Sequence, residues 1–110
     1  MLGKSCAVAA LALALVLPIA AAAEDAKVTI DNFTFDPPKL TVKAGTTVTF
    51  QNRDDIPHTV VATNRAFRSK PMDTDGTFTF TFNDAGTFDY FCSLHPHMKG
   101  TIVVEANAGK

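Results

Sequence analysis

The sequence predicts an all-β domain of seven to eight strands folded as a two-sheet sandwich, on three observations. Apolar residues recur at every second position, not at the helical period of about 3.6. Clusters of Gly, Pro, Asn and Asp separate the patterned runs at short intervals. No stretch carries a convincing amphipathic-helix pattern, and at most one helical turn fits within Ala62 to Ser69.

Residues 1–23 read as an export leader ahead of this domain. Lys4 gives a positive start, Cys6 to Leu17 is nearly unbroken Ala, Leu and Val, and Ala20 to Ala23 offers small-residue cleavage positions. The apolar run before Pro18 is shorter than the roughly 18 to 20 residues that a spanning helix needs, so no membrane span is expected after processing. Cys6 stands at the front of the apolar run, where a lipid-modified cysteine would instead follow it, and it is expected to leave with the leader. Export is expected.

Cleavage after Ala23 leaves residues 24–110, enough for one small domain. Losing Lys4 leaves nine basic against eleven acidic side chains, a near balance that points to no nucleic-acid or polyanion partner. Cys92 is then the single remaining cysteine, so no internal disulfide is available in a compartment that normally favours them. A lone thiol there is a buried inert residue, a nucleophile, half of an intermolecular bridge or a metal ligand.

Strands are expected near residues 27–35, 39–43, 46–51, 58–63, 77–82, 86–92 and 100–105. Val28 and Ile30, Leu40 and Val42, and Val48 and Phe50 mark the inward positions of the early strands. The run from Thr77 to Phe82 alternates Thr and Phe without a break. Asp36-Pro37-Pro38, Ala44-Gly45, Arg53-Asp54-Asp55, Asp73 to Gly76 and Asn83 to Gly86 supply the turns between them. All nine phenylalanines lie after the leader, and burying several at roughly 2–3 kcal/mol each supports a small domain without disulfides.

The chemistry concentrates in Tyr90-Phe91-Cys92-Ser93-Leu94-His95-Pro96-His97-Met98-Lys99-Gly100. A strand end followed by a short loop brings Cys92, His95 and Met98 around one point, with Pro96 and Gly100 helping to set the bend. His58, after Pro57 at the start of a predicted strand, completes the set if that strand and the Cys92 strand are neighbours. Two imidazoles and a thiolate with a weak axial thioether are the donor set of electron-transfer copper sites.

These segments resemble the cupredoxins, the type 1 blue copper family, and most of all its short-loop amicyanin branch. The resemblance rests on Asn52-Arg53-Asp54-Asp55-Ile56-Pro57-His58-Thr59-Val60, Lys70-Pro71-Met72, and the run from Asp84 to Glu105. It implies a Greek-key β-sandwich, one copper ion cycling between Cu(I) and Cu(II), and the ligands His58, Cys92, His95 and Met98. It also implies a periplasmic location and that His95 reaches the surface inside an apolar patch. The expected acceptor is a c-type cytochrome, and the resemblance implies an amine dehydrogenase as donor to a monomeric carrier.

Four positions depart from the family pattern. Thr59 stands where relatives carry an asparagine that ties two ligand-bearing loops, and it has fewer hydrogen-bonding atoms to do so. Phe88 replaces a tyrosine, Leu94 a common proline, and His97 an aromatic or apolar residue. A looser brace around the site is expected from Thr59.

Other readings remain. A CysHis3 zinc site would recruit His97 in place of Met98, whereas His97 on an outward-curling loop is a rim residue. Met72 is either core filler or part of the apolar rim. Arg53, Arg65, Arg68 and Lys70 form a basic patch or, with Asp54, Asp55, Asp73 and Asp75 among them, an ordinary solvated loop. A cysteine nucleophile would leave Met98 and His58 without a role, so no enzyme is expected. A non-redox copper carrier or storage protein using the same ligands is the alternative to the electron carrier.

Overall fold

The computed structural model describes residues 25–107. The expected leader over residues 1–23 lies outside them. Eight strands fold into two four-stranded sheets: β1 (Asp25–Asp31), β2 (Thr34–Asp36), β3 (Lys39–Lys43), β4 (Thr46–Asn52), β5 (Val61–Ala62), β6 (Thr77–Phe82), β7 (Gly86–Cys92) and β8 (His95–Glu105). One sheet has the order β2-β1-β4-β6 and the other β3-β8-β7-β5. From β2 to β7 every connection changes sheet before β7 and β8 pair as a hairpin. The expected Greek-key sandwich is the fold, with no helix among the described residues.

The period-two pattern sets which faces meet. Along β4, Thr46, Val48, Phe50 and Asn52 are buried while the residues between them are half-buried. The partner β6 turns Phe78, Phe80 and Phe82 toward the core, and outward Thr47 and Thr81 share a 2.8 Å hydroxyl hydrogen bond across the pair. Phe67, from the connection between β5 and β6, seals this layer with its ring 5.0 Å from Phe80 and 5.4 Å from Phe82. Tyr90 of the second sheet meets Phe35 at 4.7 Å and Phe50 at 5.3 Å, both edge to face. Aromatic burial thus crosses between the two sheets.

Three strand boundaries differ from the sequence expectation, and each difference shapes one end of the sandwich. The strand expected over 27–35 is a tight hairpin, because Asn32 and Phe33 both have positive φ (51° and 57°) and fold β2 back onto β1. Only Val61 and Ala62 remain of the strand expected over 58–63. The residues before them run beside 68–72 instead, with Met72 N–H donating to the His58 carbonyl at 2.8 Å and Ser69 N–H to the Val60 carbonyl at 2.8 Å. Val60 N–H donates to the Ser69 hydroxyl at 2.8 Å, so it is not free for a sheet ladder. Finally β8 begins at His95 rather than near 100, leaving only Ser93 and Leu94 between it and β7.

Gly100 faces Tyr90 across the β7–β8 pair, and a Cβ there would overlap the phenol ring. Gly100→Ala is therefore expected to destabilise the domain by about 1–3 kcal/mol through overpacking. A urea titration of the metal-free domain measures this, and an unchanged midpoint would show that the ring has room to yield.

Candidate metal centre

The short β7–β8 turn and the bent 52–60 segment meet at one end of the sandwich. There the donor atoms of His58, Cys92 and His95 all lie within 4.8 Å of one another. Cys92 Sγ stands 3.7 Å from His58 Nδ1 and 3.6 Å from His95 Nδ1. With metal–nitrogen and metal–sulfur bonds of about 2.0 and 2.3 Å, donors spread around one ion in a plane are about 3.7 Å apart. The apposition therefore fits one ion with no movement of the ring nitrogens away from the sulfur.

Met98 is buried three residues beyond His95 on the same strand. Met98, Gly100, Ile102 and Val104 form the inward-facing row of β8, so the thioether belongs to the core side of this end. His97 is exposed and is not part of the cluster. A CysHis3 set thus lacks its fourth member, and the donor set that the described residues offer is the one suited to a single copper ion.

Each donor is held by its neighbours. His58 is fully buried, and its Nε2 makes a 2.7 Å hydrogen bond with Asp54 Oδ2. Donation from Nε2–H to the carboxylate leaves Nδ1 as the lone-pair nitrogen, on the side of Cys92. The same carboxylate accepts the N–H groups of Asn32 at 2.7 Å and Phe33 at 2.9 Å, which secures the β1–β2 turn in its positive-φ conformation. Although partial burial acts to raise its pKa, these N–H donors and His58 hold the Asp54 carboxyl below the usual carboxylate value. Asn52, also fully buried, completes the loop by donating to the carbonyls of Ile56 at 2.9 Å and Met72 at 2.8 Å and accepting from Asp54 N–H at 2.9 Å.

The Asp54 clamp and the aromatic ring that depends on it were not singled out in the sequence. Phe33 is 48% exposed, yet its ring meets His58 at 5.3 Å and His95 at 5.0 Å, both edge to face. An acidic side chain four residues before a candidate histidine ligand was the readable signal for Asp54. Nothing local marks Phe33, because its position depends on the turn fold.

Thr59 behaves differently from expectation. Its backbone N–H donates to Cys92 Sγ at 3.3 Å, its Oγ1 accepts Ser93 N–H at 2.7 Å and lies 2.9 Å from Ser93 Oγ. A single hydroxyl therefore makes the tie between loops that the family pattern assigns to an amide, so the brace is not loose. Met72 is buried and serves by its backbone, exchanging hydrogen bonds with His58. Among the basic residues, Arg53 faces Asp75 at 3.6 Å with both side chains exposed, a contact of little energetic weight.

The thiol itself is poised for metal binding. Burial acts to raise its pKa, but the Thr59 N–H donated to the sulfur, with the His58 and His95 rings and the Thr59 hydroxyl beside it, outweighs that and brings Cys92 from 9.0 down to about 6. The thiolate is both nucleophile and metal ligand, so a neutral-pH thiolate lowers the proton cost of binding.

Residues 4–104 match the family described as Cupredoxin-like domain. The chain belongs to the cupredoxin-like family. It is 40% identical over 96 residues to amicyanin of Paracoccus versutus, covering 80% of this chain and 73% of that one. Among solved structures, a purple cupredoxin from Nitrosopumilus maritimus superposes with a TM-score of 0.70 at 31% identity, over 73% of this chain and 99% of that one. A Cu(I) form of an amicyanin variant superposes with a TM-score of 0.68 at 38% identity, over 79% and 86%. The cupredoxin sandwich is thus shared with a protein solved in a Cu(I) form.

Two measurements test this account of the site. Asp54→Ala is expected to weaken metal binding by about 10–100-fold, the usual effect of losing the partner that orients a histidine ligand, while Asp54→Asn keeps an acceptor and loses less; competition against a chelator measures both. In the metal-free domain the folded thiol pKa lies below the unfolded one. Its stabilising contribution is therefore full above about 9, declines as pH falls, and is gone below about 6. Denaturation across that window, with Cys92→Ser as the reference that removes the slope, checks the sign. An identical pH slope in the variant would assign it elsewhere.

Proposed function

We propose that this chain is a periplasmic blue-copper electron carrier, moving single electrons between redox proteins through one copper ion. The observation that supports it most directly is the pre-assembled apposition of two imidazole nitrogens and a low-pKa thiolate within 4.8 Å at the buried end of the sandwich. In this reading His58, Cys92 and His95 would hold the ion as its strong ligands and Met98 would add a weaker thioether donor. The ion, when bound, supplies a one-electron couple between Cu(II) and Cu(I).

The protein's share is to keep the donors fixed. Asp54 holds His58, Thr59 holds Cys92, and the β7–β8 pairing holds His95 and Met98 on one strand, so little has to rearrange when charge arrives. The core excludes water from the sulfur, which is fully buried. His95 is only half-buried, and Phe33, Leu94, Pro71 and Pro96 form an exposed apolar rim on this end. Electrons enter and leave at this rim, one accepted from a reduced partner and one passed to an oxidised partner. The likeness to amicyanin supports a c-type cytochrome as acceptor and an amine dehydrogenase as donor to a monomeric carrier. Residues 1–23 are the export leader in this proposal, with residues 24–110 as the mature domain.

Addition of Cu(II) to the metal-free mature domain is expected to give an intense thiolate-to-copper charge-transfer band at about 600 nm. The band disappears on reduction, returns on reoxidation, and is absent in Cys92→Ser. Colourless, tight Cu(I) or zinc binding without that band would instead support a metal carrier.

A further inference from the structure

Thr59 has more hydrogen-bonding neighbours than its hydroxyl has protons, and counting them assigns the proton. The residue is only 3% exposed. Around Oγ1 lie Ser93 N–H at 2.7 Å, Ser93 Oγ at 2.9 Å and Cys92 Sγ at 3.7 Å. A hydroxyl has one proton to give and two lone pairs to receive. Ser93 N–H can only donate and takes one lone pair. Two arrangements remain for the rest.

In the first, the Ser93 hydroxyl donates to Thr59 Oγ1, filling its second lone pair, and the Thr59 proton goes to the sulfur. In the second, the Thr59 proton goes to Ser93 Oγ and the sulfur receives nothing from this side chain. Ser93 is exposed and has water to meet its needs, whereas Thr59 does not. The sulfur carries the negative charge, and a hydrogen bond to a charged acceptor is roughly twice as strong as one to a neutral hydroxyl. The first arrangement satisfies every group and wins on charge.

We infer that the Thr59 hydroxyl is a second hydrogen-bond donor to the Cys92 thiolate, oriented by Ser93, and that this pair sets the reduction potential of the copper site. Thr59 is a positioning residue that acts through the sulfur, beside its own backbone N–H donation at 3.3 Å. The inference rests on the electron-carrier reading. A donor on the thiolate withdraws electron density from the metal and favours the reduced site, which carries one positive charge fewer. Losing that donor lowers the potential.

The copper-loaded domain tests this by spectroelectrochemistry and resonance Raman in H2O and D2O. Thr59→Val removes the hydroxyl but keeps the shape and the backbone donor. It is expected to retain the blue band, shift it to lower energy, abolish the deuterium sensitivity due to the side chain, and shift the Cu(I)-to-Cu(II) equilibrium about tenfold toward Cu(II), or ~59 mV for one electron. Thr59→Ser restores the wild-type values. Ser93→Ala removes the competing hydroxyl while keeping Thr59 and the Ser93 N–H, and so discriminates the two proton arrangements. If the Thr59 proton already lies on sulfur, the potential holds or falls. A rise in Ser93→Ala, or an unchanged potential in Thr59→Val with the blue band intact, overturns the inference. A wild-type domain lacking the blue band would sink the electron-carrier reading itself, a different result from either of these.

Discussion

The metal end of this domain depends on one buried sulfur and on the N–H of Thr59 that faces it. That 3.3 Å contact joins the strand carrying Cys92 to the loop carrying His58, two segments brought together only by the fold. A buried thiolate is expensive unless its charge is met by donors. Here the donors come from the neighbouring loop, so the same contacts that lower the thiol pKa also fix where the ligands stand. Binding competence and fold integrity at this end are one property.

Around that contact the supporting residues form a chain that runs away from the metal. Asn52 holds the carbonyls of Ile56 and Met72 and the N–H of Asp54; Asp54 holds His58 and the Asn32–Phe33 turn; the turn sets Phe33 against both histidines. Each link satisfies a buried or half-buried polar group that would otherwise oppose folding. The result places a rigid hydrogen-bonded loop on one side of the site and a two-residue hairpin turn on the other. Neither side needs to move much for the charge on the site to change.

The opposite demands of the two ends explain the composition. Away from the metal, phenylalanines from both sheets interlock and provide the apolar burial that a domain of this size needs. Toward the metal, that burial continues as Met98, Met72 and Val60, but polar side chains appear at Asn52, His58, Thr59 and Ser69, all buried. Phe33 and Leu94 are the exposed large apolar side chains among the described residues, and both lie at this end. An apolar rim beside a half-exposed His95 suits brief contacts with redox partners, because it adds area without the strong desolvation cost of charges.

Much of this was legible beforehand for a physical reason. Period-two alternation fixes which side chains of a strand share a face, so the inward rows of β4 and β6 followed from the residues alone. The dense Cys92, His95, Met98 run identified its chemistry because thiolate, imidazole and thioether side chains seldom crowd together without a metal. What the sequence could not supply depended on backbone hydrogen bonds between distant segments. The 58–60 segment leaves the sheet ladder because its N–H groups go to Ser69 and Cys92; Asn32 and Phe33 turn because Asp54, more than twenty residues away, accepts their N–H groups. Thr59 seemed a weak substitute for an amide when only its atoms were counted, and became a full brace once Ser93 and the sulfur stood beside it. Side-chain type determined which donors this protein has, and tertiary structure alone decided which partners those donors meet.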